Sequence, residues 1–212
     1  MRLHSYAASA NCLKARVLLG LLNLPYELVE VDIFAGDTLS DGFAMRNPLR
    51  ETPVLELDDG TNLTQSNAIL GYLAEDTPWA GRSRVQRAQI AAWLFFEQER
   101  IIPGIGGVRF RVVTGRATAT QLQERIRGGA QALDVLQAHL CGRSWLVGET
   151  PTIADLSVWS YVHLAADAGF ALRDWPAVAE WSARVGALPG LIDDIVPYPE
   201  NARPGHGASI YD

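Results

Sequence analysis

The stretch from Asn47 to Asp76 leaves this chain few ways to fold. Val54, Leu55 and Leu57 form a short apolar run directly behind Pro53. Asp59-Gly60 follows, a dipeptide that favours the tight turn of a β-hairpin, and Thr61 to Leu63 reads as the returning strand. Ser66 then stands where a helix N-cap belongs, with Ile69, Leu70 and Leu73 at helical spacing behind it.

Two features of this stretch point to chemistry. Pro53 opens a strand, where its missing N–H has to be tolerated; a cis bond there would expose the Thr52 backbone to an extended peptide. Gln65-Ser66 offers a side-chain amide, a hydroxyl and the free N–H groups of a helix start, a ready site for a small carboxylate. A peptide-pairing edge beside a carboxylate-holding end suits a small acidic peptide.

The segments upstream complete a unit around this stretch. Arg2 to Tyr6 reads as a first strand, Leu13, Val17, Leu18, Leu21 and Leu22 mark a helix from Asn11 to near Asn23, and Tyr26 to Ile33 alternates as a second strand. Strand, helix, strand implies a right-handed parallel crossover. Asp37 to Arg46 reads as a polar helix or turn. The whole order is that of a thioredoxin-like domain closing near Asp76.

The pieces Asn47-Pro48, Thr52-Pro53-Val54-Leu55 and Gln65-Ser66-Asn67-Ala68-Ile69 together resemble the glutathione site of the cytosolic glutathione S-transferases, and the likeness runs from Met1 to about Gly190. The resemblance implies an α/β thioredoxin-like domain over residues 1–78, an all-helical domain over 84–194 that contributes the second-substrate pocket, and an irregular tail over 195–212. It implies a cis bond at Thr52-Pro53, and glutathione as co-substrate on Ser9, Glu51, Thr52, Pro53, Gln65 and Ser66. Some relatives carry a lysine for the glycine carboxylate where Glu51 stands; the neighbouring cation here is Arg50.

The first loop carries the rest of the chemistry. Ser9-Ala10-Asn11-Cys12 lies at the start of the first helix, whose N–H groups and dipole favour an anion by up to about 1 kcal/mol. A free thiol with a pKa near 8.5 is mostly protonated at neutral pH and needs such help. Taken alone, Ser9 reads as a capping hydroxyl. Within the resemblance, Ser9 matches the activating serine of theta-like classes, and Asn11 is similar to the asparagine of bacterial Nu-like members. These two are therefore the expected catalytic pair, Ser9 donating to the thiolate and Asn11 acting as a second donor. Beta-class enzymes carry a cysteine where Asn11 stands, so the chain departs from that pattern. Tyr6 falls on the opposite face of the strand and reads as core, as does Cys12.

Composition excludes several alternatives. A net charge of −6 over 212 residues argues against non-specific nucleic-acid binding. Of the 18 basic residues only Lys14 is lysine, which reads as compositional bias without functional weight. Cys12 and Cys141 form no CxxC, and His4, His139, His163 and His206 have no ligand spacing, so no metal is expected. No apolar run reaches membrane-spanning length, and the start of the chain shows no signal-peptide pattern. A cytoplasmic protein is expected.

Beyond the linker Thr77-Pro78-Trp79-Ala80-Gly81, strand signals stop. Helices are expected from Ser83 to about Ile102, with a break at Pro103, from Thr118 or Thr120 to Gly142, from Thr152 to Ala168, and from Trp175 to Leu188. Of Trp93, Phe95 and Phe96 at least one reads as core; within the resemblance, their helix borders a homodimer interface and the second-substrate pocket. Arg109, Arg111 and Arg116 read as a solvated basic group, with a carboxylate clamp as the alternative. Thr152-Ile153-Ala154-Asp155 has the spacing of a capping box, so Asp155 is expected to act structurally. The reading as a whole is a glutathione transferase acting on a small hydrophobic electrophile, expected as a homodimer on family grounds. Its alternatives are a Nu-like glutathione-dependent disulfide reductase and a non-catalytic interaction module on the same fold.

Overall fold

The computed structural model describes Met1 to Tyr211 and divides into two compact units, Met1–Leu73 together with the tail from Ile192, and Ala74–Leu191. The first unit holds a four-stranded mixed sheet of order β2-β1-β3-β4, with β1 Arg2–Ser5, β2 Glu27–Glu30, β3 Val54–Glu56 and β4 Asn62–Thr64. β1 pairs parallel with β2, Leu3 opposite Leu28, and antiparallel with β3, Leu3 opposite Leu55. β3 and β4 form the hairpin expected around Asp59-Gly60, with Leu55 opposite Leu63. Gly60 takes the positive φ of +86° that this turn requires.

Three helices accompany the sheet: α1 Ala10–Leu21, α2 Asp41–Arg46 and α3 Ser66–Ala74. Leu13, Leu18 and Leu19 of α1 and Ile69 and Leu70 of α3 are fully buried, each worth about 1.5–3 kcal/mol relative to exposure. α1 is buried on nearly every side, Lys14 and Arg16 included. Tyr6 is core, as its strand parity requires, and burial pushes its phenol well above the usual range. Its ring packs edge-on against Phe34 at 5.8 Å.

The tail is mostly without regular structure but is fixed to the first unit. Arg16 Nε donates to both carboxylate oxygens of Asp194, to Oδ1 at 2.9 Å and to Oδ2 at 3.0 Å. Asn201 Nδ2 donates to Asp32 Oδ2 at 2.9 Å, and Ala208 N donates to Phe34 O at 2.8 Å. Tyr198 lies 6.4 Å from the Tyr6 ring. Segment 195–212 was expected to be irregular; the contacts of Tyr198, Asn201 and Ala208 nonetheless give its described residues a docked path.

The second unit is helical: α4 Arg84–Phe96, α5 Gly107–Val113, α6 Gln123–Leu140, α7 Ile153–Val162 and α8 Pro176–Gly186. The break expected at Pro103 is taken up by a π-helical segment, Glu97–Gly106, that carries α4 into α5. Proline has no N–H for the ladder and its ring crowds the carbonyl one turn back, and a wider turn relieves both. Glycines then let the neighbouring helices close in: a Cβ on Gly104 would sit 2.6 Å from the Gly129 backbone of α6, and one on Gly106 would collide with the Tyr161 ring of α7.

Every residue of α7 is buried. It starts at the expected capping box, with Thr152 Oγ1 accepting from Ala154 N at 3.3 Å and Asp155 Oδ2 from Thr152 N at 2.9 Å. Asp155 does more than cap. Its Oδ1 also accepts from Leu146 N and from Trp181 Nε1, both at 2.9 Å. Burial pushes its carboxyl up against the pull of those donors.

Candidate functional site

Ser9 precedes α1 with extended backbone, φ −89° and ψ 120°, and acts as its N-cap. Its Oγ accepts from Cys12 N at 3.4 Å, the long end of a hydrogen bond, and the residue is half-buried. Asn11, two residues on, is also half-buried. Cys12 is fully buried, with its sulfur accepting from Tyr6 N at 3.3 Å, which places it in the packing of the loop.

The second half of the site comes from the turn into α3. Gln65 is exposed and sits at φ +66°, the left-handed region that few residues other than glycine adopt. Ser66 was expected as the N-cap; it is instead the first residue of α3, and Gln65 holds the position before it, its carbonyl accepting from Ile69 N at 3.0 Å. The Ser66 side chain is thereby turned inward. It is 3% exposed and its Oγ donates to Asn11 Oδ1 at 3.1 Å. The starts of α1 and α3 therefore meet, and Asn11 and Ser66, separated by 55 positions, are in direct contact.

A residue given no weight in the sequence holds this junction. Lys14, the one lysine in the chain, is 0% exposed. Its Nζ donates to Asn11 Oδ1 at 3.0 Å, to Ser66 Oγ at 3.2 Å and to Asn67 Oδ1 at 3.3 Å. The signal available in the sequence was its position three residues after Asn11, on the same helix face, in a chain that otherwise uses arginine.

The loop leading to Pro53 is stapled from within. Asn47 is buried, donating from Nδ2 to Glu51 O at 2.8 Å and accepting at Oδ1 from Leu49 N at 3.1 Å. The Thr52-Pro53 bond is cis, as expected, with Thr52 half-buried and Pro53 buried. Glu51 is exposed. Arg50 is committed elsewhere: its NH1 donates to Thr38 O at 3.0 Å and Ser40 O at 3.1 Å. In the second unit the basic group is dispersed, with Arg109 Nε bonded to Asp167 at 2.9 Å, Arg111 to the Gly107 carbonyl at 3.0 Å, and Arg116 over the Phe110 ring.

Chemically, two helix starts with outward N–H groups favour an anion. Around them lie two hydroxyls (Ser9 and Ser66), three amides (Asn11, Gln65 and Asn67) and the buried Lys14 ammonium, an array of donors rather than bases. Among the described residues no cluster of His, Cys, Asp and Glu could hold a metal, and no helix is long and apolar enough to cross a membrane.

Comparison with known proteins gives the same pairing of units. The family description "Glutathione S-transferase, N-terminal domain" matches residues 8–76, and "Glutathione S-transferase, C-terminal domain" matches residues 119–184. The chain is 33% identical over 177 residues to a glutathione S-transferase, stcT, of Emericella nidulans, covering 81% of this chain and 80% of that protein. It is 29% identical over 192 residues to the disulfide-bond oxidoreductase YfcG of Escherichia coli, covering 87% and 89%. The crystal structure of a glutathione S-transferase from Xanthobacter autotrophicus superposes with a TM-score of 0.87 at 43% identity, covering 92% of this chain and 97% of that one.

Proposed function

Because the chain belongs to the glutathione S-transferase family, we propose that it is a glutathione transferase, joining the glutathione thiolate to a small hydrophobic electrophile. The observation that carries this reading is the contact between Asn11 and Ser66. It brings together one group assigned to the thiol and one assigned to the peptide's carboxylate end, from two helix starts far apart in sequence. Gln65, exposed beside Ser66, and the Thr52 backbone complete the peptide's contacts in this reading.

The residues present fit glutathione. Its γ-glutamyl carboxylate meets the start of α3, and its thiol meets the start of α1, where Ser9 donates and Asn11 supports. The protein's work is then to bind, to orient and to stabilise a thiolate with pre-set donors. The proton leaves the thiol for solvent, the sulfur attacks the electrophilic carbon, and the leaving group departs with the electron pair. With Arg50 tied to Thr38 and Ser40, affinity rests mainly on the γ-glutamyl end. The protein works as a homodimer in the cytoplasm in this account.

A second reading, a glutathione-dependent disulfide reductase, is favoured by Asn11 beside Ser9 and by the 29% likeness to a disulfide-bond oxidoreductase. Three measurements separate the readings. Calorimetry with glutathione is expected to give binding below millimolar; no heat at millimolar ligand would leave a non-catalytic module. Turnover of an aryl halide supports the transferase, whereas turnover of a small disulfide alone supports the reductase.

A further inference from the structure

Lys14 has three N–H donors and no acceptor, so the two groups nearest it are fixed in sense. The Asn11 amide must turn its oxygen to the ammonium, and that oxygen also accepts from Ser66. The Asn11 NH2 is left as the donor for anything entering the site. Ser66 receives Lys14 on one oxygen lone pair while its own proton goes to Asn11. Asn67 supplies a third acceptor at 3.3 Å. Without the ammonium, Asn11 would be free to flip, offering its oxygen in place of its NH2, and an oxygen repels a thiolate.

A buried ammonium is costly unless it is well hydrogen-bonded. A fully covered lysine, in a chain whose other basic residues are all arginine, is an expensive way to fill space, since an apolar side chain of like volume would pack at less cost. The three acceptors Asn11, Ser66 and Asn67 come from the junction of α1 and α3, the two elements that make the site.

We infer that Lys14 is the positioning residue of the site, setting the donor face of Asn11 and locking the start of α3 through Ser66. The inference rests on the glutathione-transferase reading for its catalytic consequence, but the orientation of Asn11 can be read without any ligand.

The test is a double-mutant cycle with an independent spectroscopic arm. The rate constant kcat/KM for glutathione and an aryl halide is measured for the wild type, Lys14→Met, Asn11→Ala and the double variant. Lys14→Met is expected to lose about tenfold, the scale of a misplaced donor, and to lose nothing further in the Asn11→Ala background. Equal losses in both backgrounds, or no loss in either, would overturn the inference. In ligand-free protein, the Asn11 side-chain amide resonances, assigned by their absence in Asn11→Ala, are expected to be dispersed in the wild type and to collapse toward exposed-amide positions in Lys14→Met. Unmoved resonances would also overturn it. Moved resonances in a protein that binds no glutathione would keep the positioning and sink the transferase reading. If Lys14→Met does not fold, Asn67→Ala removes one acceptor while leaving the ammonium in place. It is read in the same cycle, with an expected loss of about threefold that vanishes when Asn11 is absent; a loss that persists counts against the inference.

Discussion

Asp155 and Ser9 are both caps by position, and their surroundings give them different weight. Four donors converge on the Asp155 carboxylate from three places in the second unit, Leu146, Thr152 through both its N–H and its hydroxyl, and Trp181. Asp155→Ala strands them in a buried setting, so the expected loss is about 3 kcal/mol or more, above the ~1 kcal/mol of an ordinary cap. Urea unfolding checks this; a midpoint unchanged from wild type would show that the donors find other partners. The single cap bond of Ser9 is long at 3.4 Å, so Ser9→Ala is expected to cost only about 0.5 kcal/mol of stability, leaving its chemical effect separable. Capping-box spacing is local, which is why Thr152 and Asp155 could be read from the sequence. The bonds from Trp181 and Leu146 were not legible, because they depend on the packing of α8 and a turn against α7. Lys14 was missed for the same reason: its partners Ser66 and Asn67 lie 52 and 53 positions away.

At the scale of elements, the helices were legible wherever apolar spacing and a cap agreed, as for α1, α4 and α7. The π-helical run through Pro103 was not, since a proline in sequence signals a break and only close neighbours such as Gly129 and Tyr161 decide what replaces it. Gly104→Ala is expected to destabilise by about 1–3 kcal/mol, because its Cβ meets backbone, which cannot rotate away; a melting temperature at the wild-type value would mean α6 moves freely. The tail's docking was equally hidden, resting on Arg16, which is 2% exposed, and its pair with Asp194. Asp194→Ala leaves that guanidinium short of its carboxylate, with an expected loss of about 1–2 kcal/mol, discounted from a fully buried pair because Asp194 is half-exposed. The sheet carries a pH response. His4, together with Arg2 and Arg46, holds the Glu56 carboxyl below the usual carboxylate range. A carboxyl lowered on folding stabilises above its unfolded pKa, and that contribution is lost as pH falls through the folded one. The gap in melting temperature between wild type and Glu56→Gln should therefore shrink on acidification; a gap constant with pH would remove Glu56 as the source.

For the whole molecule, the order of strands and helices was legible because the hairpin, the crossover and the change to an all-helical pattern each have local signals. The assembly of the site was legible only through the resemblance, since Ser9, Asn11 and Ser66 are ordinary loop and cap residues when taken singly. In the proposed homodimer the second copy would cover α4, where Val85, Ala88, Ala92 and Phe95 lie on one face and are all exposed. Phe95→Glu is expected to shift the protein to monomer in sedimentation, and an unchanged sedimentation coefficient would move the interface elsewhere. The central claim, however, is that the starts of α1 and α3 hold glutathione as its thiolate, with Ser9 as the main donor. The most direct measurement is the thiolate absorbance of bound glutathione against pH, in wild type and in Ser9→Ala. The account expects a wild-type midpoint well below that of a free thiol, near 8.5, and a rise of about one unit in Ser9→Ala with affinity mostly kept. A bound thiol that titrates like the free one, or a midpoint unmoved by the substitution, would contradict it.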